Sequence, residues 1–119
     1  MEDSALTRIM LVISMASALA QAQTVTEYPV PTAKSSPNGI TAGPDGALWF
    51  TENVAGKIGR ITTAGAITEY PLSPAYDPCC ITTGPDGALW FIDDDNSTPN
   101  IGRITTSGAI TQAPDQLTE

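Results

Sequence analysis

The stretch GPDGALWF, residues 43–50, recurs letter for letter at residues 84–91, an offset of 41. Its neighbours recur with it. IGRITT stands at 58–63 and again at 101–106, and VTEYP at 25–29 returns as ITEYP at 67–71 and, degenerate, as ITQAP at 110–114. Two identical octapeptides with co-linear flanks are not a product of chance. A period near 42 residues is the length of one four-stranded propeller blade, and a repeat of that size outranks any residue-level signal in deciding the fold.

Each unit reads as four short strands. In the first unit they are Gly39–Gly43, Ala47–Glu52, Lys57–Thr62 and Ala66–Leu72. Pro44-Asp45-Gly46 turns the chain between the first two, proline fixing φ and glycine supplying a positive one. In the second unit the strands are Ile81–Gly84, Ala88–Asp93, Asn100–Thr105 and Ala109–Pro114. Leu48-Trp49-Phe50 does not alternate, so the second strand needs cover on both faces. A blade wedged between neighbouring blades supplies that cover. The fourth strand carries Glu27 or Glu69 and then Pro29 or Pro71, which suits an outer edge that must not recruit a partner. The expected fold is all-β: two four-stranded antiparallel propeller blades, residues 24–72 and 73–114, with Val25–Val30 as one extra N-terminal outer strand, and residues 115–119 as a tail.

Antiparallel order sorts the loops. The 1–2 and 3–4 turns share one end of the blade and hardly differ between the copies, PDG twice and TAG then TSG. The 2–3 and 4–1 connections share the other end and do differ: ENVAGK becomes DDDNSTPN, and PVPTAKSSPN becomes PLSPAYDPC. Variable loops can carry sites where constrained turns cannot. A working face would therefore hold Asn38, Glu52, Cys79 and Asp93.

Composition narrows the chemistry. The 119 residues carry 5 Lys+Arg against 13 Asp+Glu, a net charge of −8, and no His. So few basic groups cannot neutralise a phosphate backbone, which excludes a nucleic-acid partner. Without His there is no imidazole base, no His-ligated metal and no Ser-His-Asp triad. A small molecule or a glycan remains possible as a ligand. Two blades cannot close a ring, since propellers need about four to eight. The chain therefore reads as a piece of a longer protein, a self-associating part-ring or a degenerate product.

Residues 9–20, IMLVISMASALA, form an apolar run of twelve. That is too short to span a bilayer and suits a signal-peptide core. Arg8 precedes it, and Ala18-Leu19-Ala20 and Ala20-Gln21-Ala22 are small-x-small cleavage patterns. The expectation is a signal peptide over residues 1–20, a secreted or periplasmic product and no membrane association once processed. A buried N-terminal helix or an uncleaved anchor is the alternative.

The phrases GITAGPDGALWFTE (39–52), AGKIGRITTAG (55–65) and ITEYPLSP (67–74) together resemble the virginiamycin B lyase, or streptogramin lyase, family. The resemblance implies a seven-bladed propeller and an enzyme that linearises a cyclic streptogramin antibiotic by elimination at its ester bond, with a His base and Mg²⁺. It places the family's His positions just before G-I-T, where this sequence has Asn38 and Cys79. It places the metal-binding carboxylate at the end of WFTE, giving Glu52 and, from WFID, Asp93 as candidate Mg²⁺ ligands. A structural role for these carboxylates is the competing reading. The resemblance thus implies a lyase-like propeller whose catalytic His positions are lost, with a non-enzymatic binding propeller or a non-functional fragment as alternatives.

Smaller signals remain. Cys79 and Cys80 are adjacent, so a strained vicinal disulfide, two free thiols or an intermolecular bridge are all open. Asp93-Asp94-Asp95-Asn96-Ser97 resembles a calcium loop but lacks its sixth-place Gly and twelfth-place Glu. Asn96-Ser97-Thr98 is a glycosylation sequon. Arg60 and Arg103 occupy equal places and either pair with Asp45 and Asp86 or lay their stems over a neighbouring blade.

Overall fold

The computed structural model describes residues 23–94 and 99–112. The apolar run Ile9–Ala20, the sequon at Asn96, most of the acidic loop and the tail lie outside the described residues. The rest forms two four-stranded antiparallel sheets. The first runs β1 (Pro37–Ala42), β2 (Leu48–Glu52), β3 (Lys57–Ile61) and β4 (Ile67–Pro71), and the second β5 (Asp77–Thr83), β6 (Leu89–Asp94), β7 (Asn100–Ile104) and β8 (Ile110–Gln112). Spatial order follows chain order in both sheets, as in a meander blade.

The inner strands start earlier than the sequence reading placed them. Each contains a bulge, with the register shifting between Pro37 and Ile40 in β1 and between Cys79 and Thr82 in β5. One extra residue bends the strand, after which pairing resumes, Pro37 opposite Glu52 and Pro78 opposite Asp93. The bulge thus sets Asn38 and Cys79 at the same end of the blade as the two carboxylates.

Val25–Val30 forms no strand of either sheet, contrary to expectation. An outer strand needs the third strand of a preceding blade to pair with, and no such edge stands beside it among the described residues. The segment nevertheless takes a blade-like seat. Tyr28 lies against Gly65 of the β3–β4 turn, as Tyr70 of β4 lies against the equivalent Gly108, one blade on.

Register separates two faces of each blade. Trp49, Ile58 and Tyr70 lie on the front of the first, and Leu48, Phe50, Ile61 and Ile67 on its rear. The front packs on the rear of the second blade, and Trp49, Ile58, Leu72, Ile81, Leu89, Phe91 and Ile104 form one core. Trp49 stacks on Tyr70 with centroids 5.6 Å apart. Each large side chain removed from water here contributes roughly 1.5–3 kcal/mol. Gly59 sits opposite Phe50, and a Cβ there would fall 2.1 Å from the ring, so the glycine of IGR is the floor on which the phenylalanine lies. Gly102 does the same beneath Phe91.

The two inner strands run side by side. A Cβ on Gly39 would lie 3.2 Å from the Cys80 nitrogen. Thr83 Oγ1 donates to the Ala42 carbonyl and Asn53 Nδ2 to the Pro78 carbonyl, fastening blade to blade.

Candidate functional site

The 1–2 turn carries a clasp that both blades repeat. Asp45 Oδ1 accepts from Trp49 Nε1 at 3.1 Å and from the Ala47 amide, and Oδ2 accepts from Arg60 Nε at 2.8 Å. Asp86, Trp90, Ala88 and Arg103 do likewise, at 3.0 Å from Trp90 and 2.8 Å from Arg103. Each guanidinium also lies over its tryptophan, 5.8 Å and 5.7 Å from the ring centroids. The Trp90 and Arg103 hydrogen bonds hold the Asp86 carboxyl down at about 2. For Asp45, burial pushes upward, but the Trp49 and Arg60 hydrogen bonds outweigh it and the carboxyl is lowered. Both pairings open in the sequence are thus realised together: salt bridge and cover. The clasp is fully saturated, and this is the conserved-geometry end of the blade rather than a vacant site.

The other end gathers the candidate residues. Glu52 ends β2 and is completely buried. No hydrogen bond of ordinary geometry reaches either of its carboxylate oxygens. On the same rear face stand Lys57 and Glu69, the ammonium 3.9 Å from Glu69 Oε1 and donating to Thr32 Oγ1 at 2.8 Å. The segment before β1 closes over them: Asn53 donates its amide to the Ser36 carbonyl, and Val54 to that of Ser35, both at 3.0 Å. Burial pushes the Glu52 carboxyl up to about 7, the neighbouring Glu69 adding to the push while Ser35 and the Lys57 ammonium oppose it. Glu69 moves the opposite way, its carboxyl lowered against its own burial by Glu52, Thr32 and Lys57.

The second blade solves the same position differently. Asp93 is completely buried and its Oδ2 accepts from Gln112 Nε2, which also donates to the Pro74 carbonyl at 3.3 Å. Asn100 stands opposite Asp93 as Lys57 stands opposite Glu52. The trio Glu-Lys-Glu has become Asp-Asn-Gln. The importance of Glu69 and Gln112 escaped the sequence reading, although the three joint changes between the two copies were its signal.

Neither carboxylate fits Mg²⁺ as placed. Glu52 lies beside an ammonium-bearing trio with its proton held to near neutrality, and Asp93 is engaged by an amide. Among the described residues no three His, Cys, Asp or Glu side chains gather within reach of one ion, short of what a hard cation asks of a protein cage.

Asn38 is exposed. It borders an apolar groove of about 280 Å³ between the N-terminal segment and the rear of the first blade, with Tyr28, Val30, Ile40, Phe50 and Ile67 among the walls. Cys79 is half-buried and Cys80 exposed, both with free thiols. The bond their adjacency allows is thus absent from the structure. Cys80 takes φ 54°, the left-handed region, on the β5 bulge. A bond to Cys80, burial and nearby Asp94 and Asp93 push the Cys79 thiol up to about 11. It is therefore no thiolate nucleophile or base at neutral pH.

Against this geometry, the sequence profile of the Virginiamycin B lyase family matches residues 13–117. The chain belongs to the virginiamycin B lyase family. Among curated virginiamycin B lyases, that of Saccharopolyspora erythraea is 48% identical over 48 residues, 40% of this chain and 16% of the relative. The Bacillus licheniformis one is 55% identical over 43 residues, 36% of this chain and 15% of the relative. The crystal structure of Staphylococcus aureus virginiamycin B lyase is 49% identical with a TM-score of 0.72, over 78% of this chain and 31% of that one. A catalytically inactive histidine-to-alanine form of that enzyme, solved with quinupristin, matches equally, with TM-score 0.72 and 49% identity over 78% of this chain and 31% of its own. The chain thus spans about a sixth of the curated lyases it matches (16% of the first) and about a third (31%) of the solved ones.

Proposed function

We propose that this virginiamycin B lyase family chain is a blade pair that recognises a cyclic depsipeptide of the streptogramin B type and does not by itself open it. The observation that carries this reading is the absence of His from all 119 residues, with Asn38 and Cys79 at the places the family resemblance gives to imidazoles. Elimination at an ester needs a base to take the proton beside the carbonyl. An amide cannot take it. Cys79 keeps its own proton at neutral pH, and Glu52 is sealed beneath residues 32–36. Recognition is supported by the likeness to a lyase solved with quinupristin and by the apolar groove beside Asn38. The loops that differ between the copies leave room for another small molecule or a glycan at the same end. On this reading the product is exported, as the run Ile9–Ala20 and its small-x-small sites suggest, and Mg²⁺ is dispensable to it.

The test is incubation of the full chain with quinupristin, with and without Mg²⁺. Elimination leaves the mass unchanged, so ring opening is followed by chromatographic retention, and binding by tryptophan fluorescence. A saturable fluorescence change with no opened product is expected in both buffers. Opening that scales with chain concentration would overturn the non-catalytic part. No binding would overturn the recognition.

A further inference from the structure

We infer that the two outer flanks of the blade pair are a front and a rear for each other, and that copies of this chain dock head to tail through them. The inference goes beyond ligand recognition and does not depend on it.

The exposed apolar side chains are the repeat images of buried ones. Ile40 is 63% exposed, while Ile81, its equivalent, is 8% exposed. Leu48 is 43% exposed and Leu89 not at all. On the opposite flank Ile101 is 60% exposed, while its equivalent Ile58 is fully buried. The same surfaces are therefore present twice in each chain, once mated and once open. The mated pair is the front of β1–β4 against the rear of β5–β8. The open pair is the rear of β1–β4, with Ile40 and Leu48, and the front of β5–β8, with Trp90, Ile92 and Ile101. A second copy brings to each open flank a surface whose complementarity the molecule already demonstrates.

Tyr28 adapts the joint to a copy of this chain. It already fills, against Gly65, the seat that Tyr70 fills against Gly108. The fourth strand of an incoming second blade has Ala113 at the Tyr70 place, so it brings no second ring to a seat already taken. What is left open is the space for the inner strands, lined by Ile40 and Phe50. Contacts between unlike surfaces propagate with one rotation per copy and close when the rotations complete a circle. With about four to eight blades per ring, closure takes roughly two to four copies.

The experiment is the solution mass of the full chain by light scattering over a range of concentrations, with Ile40→Asp and Ile101→Asp variants. Both positions are exposed, so both variants keep the monomer fold, checked by the fluorescence of buried Trp49. The wild type should show a discrete species of roughly two to four times the 12.4 kDa monomer. Each variant alone should fall to monomer mass. Mixed one to one, they should recover a species of twice that mass, because one retains a sound front and the other a sound rear. A wild type that stays monomeric overturns the inference. So do multimers that survive both substitutions, or variants that fail to complement when mixed.

Discussion

The Gln112 amide donates to the Asp93 carboxylate at the place where, one blade earlier, Glu69 faces Glu52. The two arrangements keep one shape with different protons. An amide satisfies an ionised acid outright. An acid facing an acid needs one of the pair to stay protonated, and burial selects Glu52.

That difference makes stability depend on pH in the first blade. Glu52 binds its proton more tightly folded than unfolded, so folding is favoured most below about 4.5 and loses that contribution as pH rises to about 7. Glu69, lowered on folding, acts only below its ordinary range and leaves this window alone. The expected loss between pH 4.5 and 7 is about 1–3 kcal/mol, read by urea unfolding. Glu52→Gln imitates the protonated acid and should flatten the curve. A wild-type profile already flat there would contradict the assignment.

The two clasps should not be equally costly to break. Asp45→Ala strands the Trp49 indole and the Arg60 guanidinium, and Trp49 is wholly buried between the blades. About 1–3 kcal/mol of destabilisation is expected. Asp86→Ala frees Trp90 on an open flank and should cost less. Denaturant midpoints of the two variants decide the order.

Gly59→Ala tests the floor beneath Phe50. The added methyl would need to occupy space 2.1 Å from the ring. Overpacking of this kind costs about 1–3 kcal/mol. The double variant with Phe50→Leu should recover part of that loss in thermal melts, whereas Phe50→Leu alone should destabilise.

Thiol labelling distinguishes the adjacent cysteines. Cys80 is exposed and should react first with an aromatic disulfide at pH 8, followed by mass spectrometry of the peptides. Cys79, pushed up to about 11, should label slowly until the pH nears that value. Equal rates at pH 8 would show that the thiol is not held as described.

The blade architecture was legible because repetition and turn chemistry are local. GPDG and IGRITT identify hairpins, and LWF demands cover on both sides, which Trp49 and Phe50 receive. The Asp45–Arg60 pair was readable as one of two options and turned out to serve both. Val25–Val30 misled because its letters match β4, while strand formation needs a partner edge that sequence likeness does not supply. The candidate carboxylates were located, but their surroundings were not. Glu69 lies 17 positions from Glu52, and only the register of three strands, with residues 32–36 folded over the end, shows what each carboxylate faces.

Every partner of Asp45 lies within the next fifteen residues, at Ala47, Trp49 and Arg60. The same holds for Asp86 within the next seventeen. A tandem duplication of one unit therefore carries a finished hairpin into its new place, needing no compensating change elsewhere. Blade number in such a lineage can grow or shrink by recombination between near-identical segments, and what selection must then tune is the fit at the ends of the array.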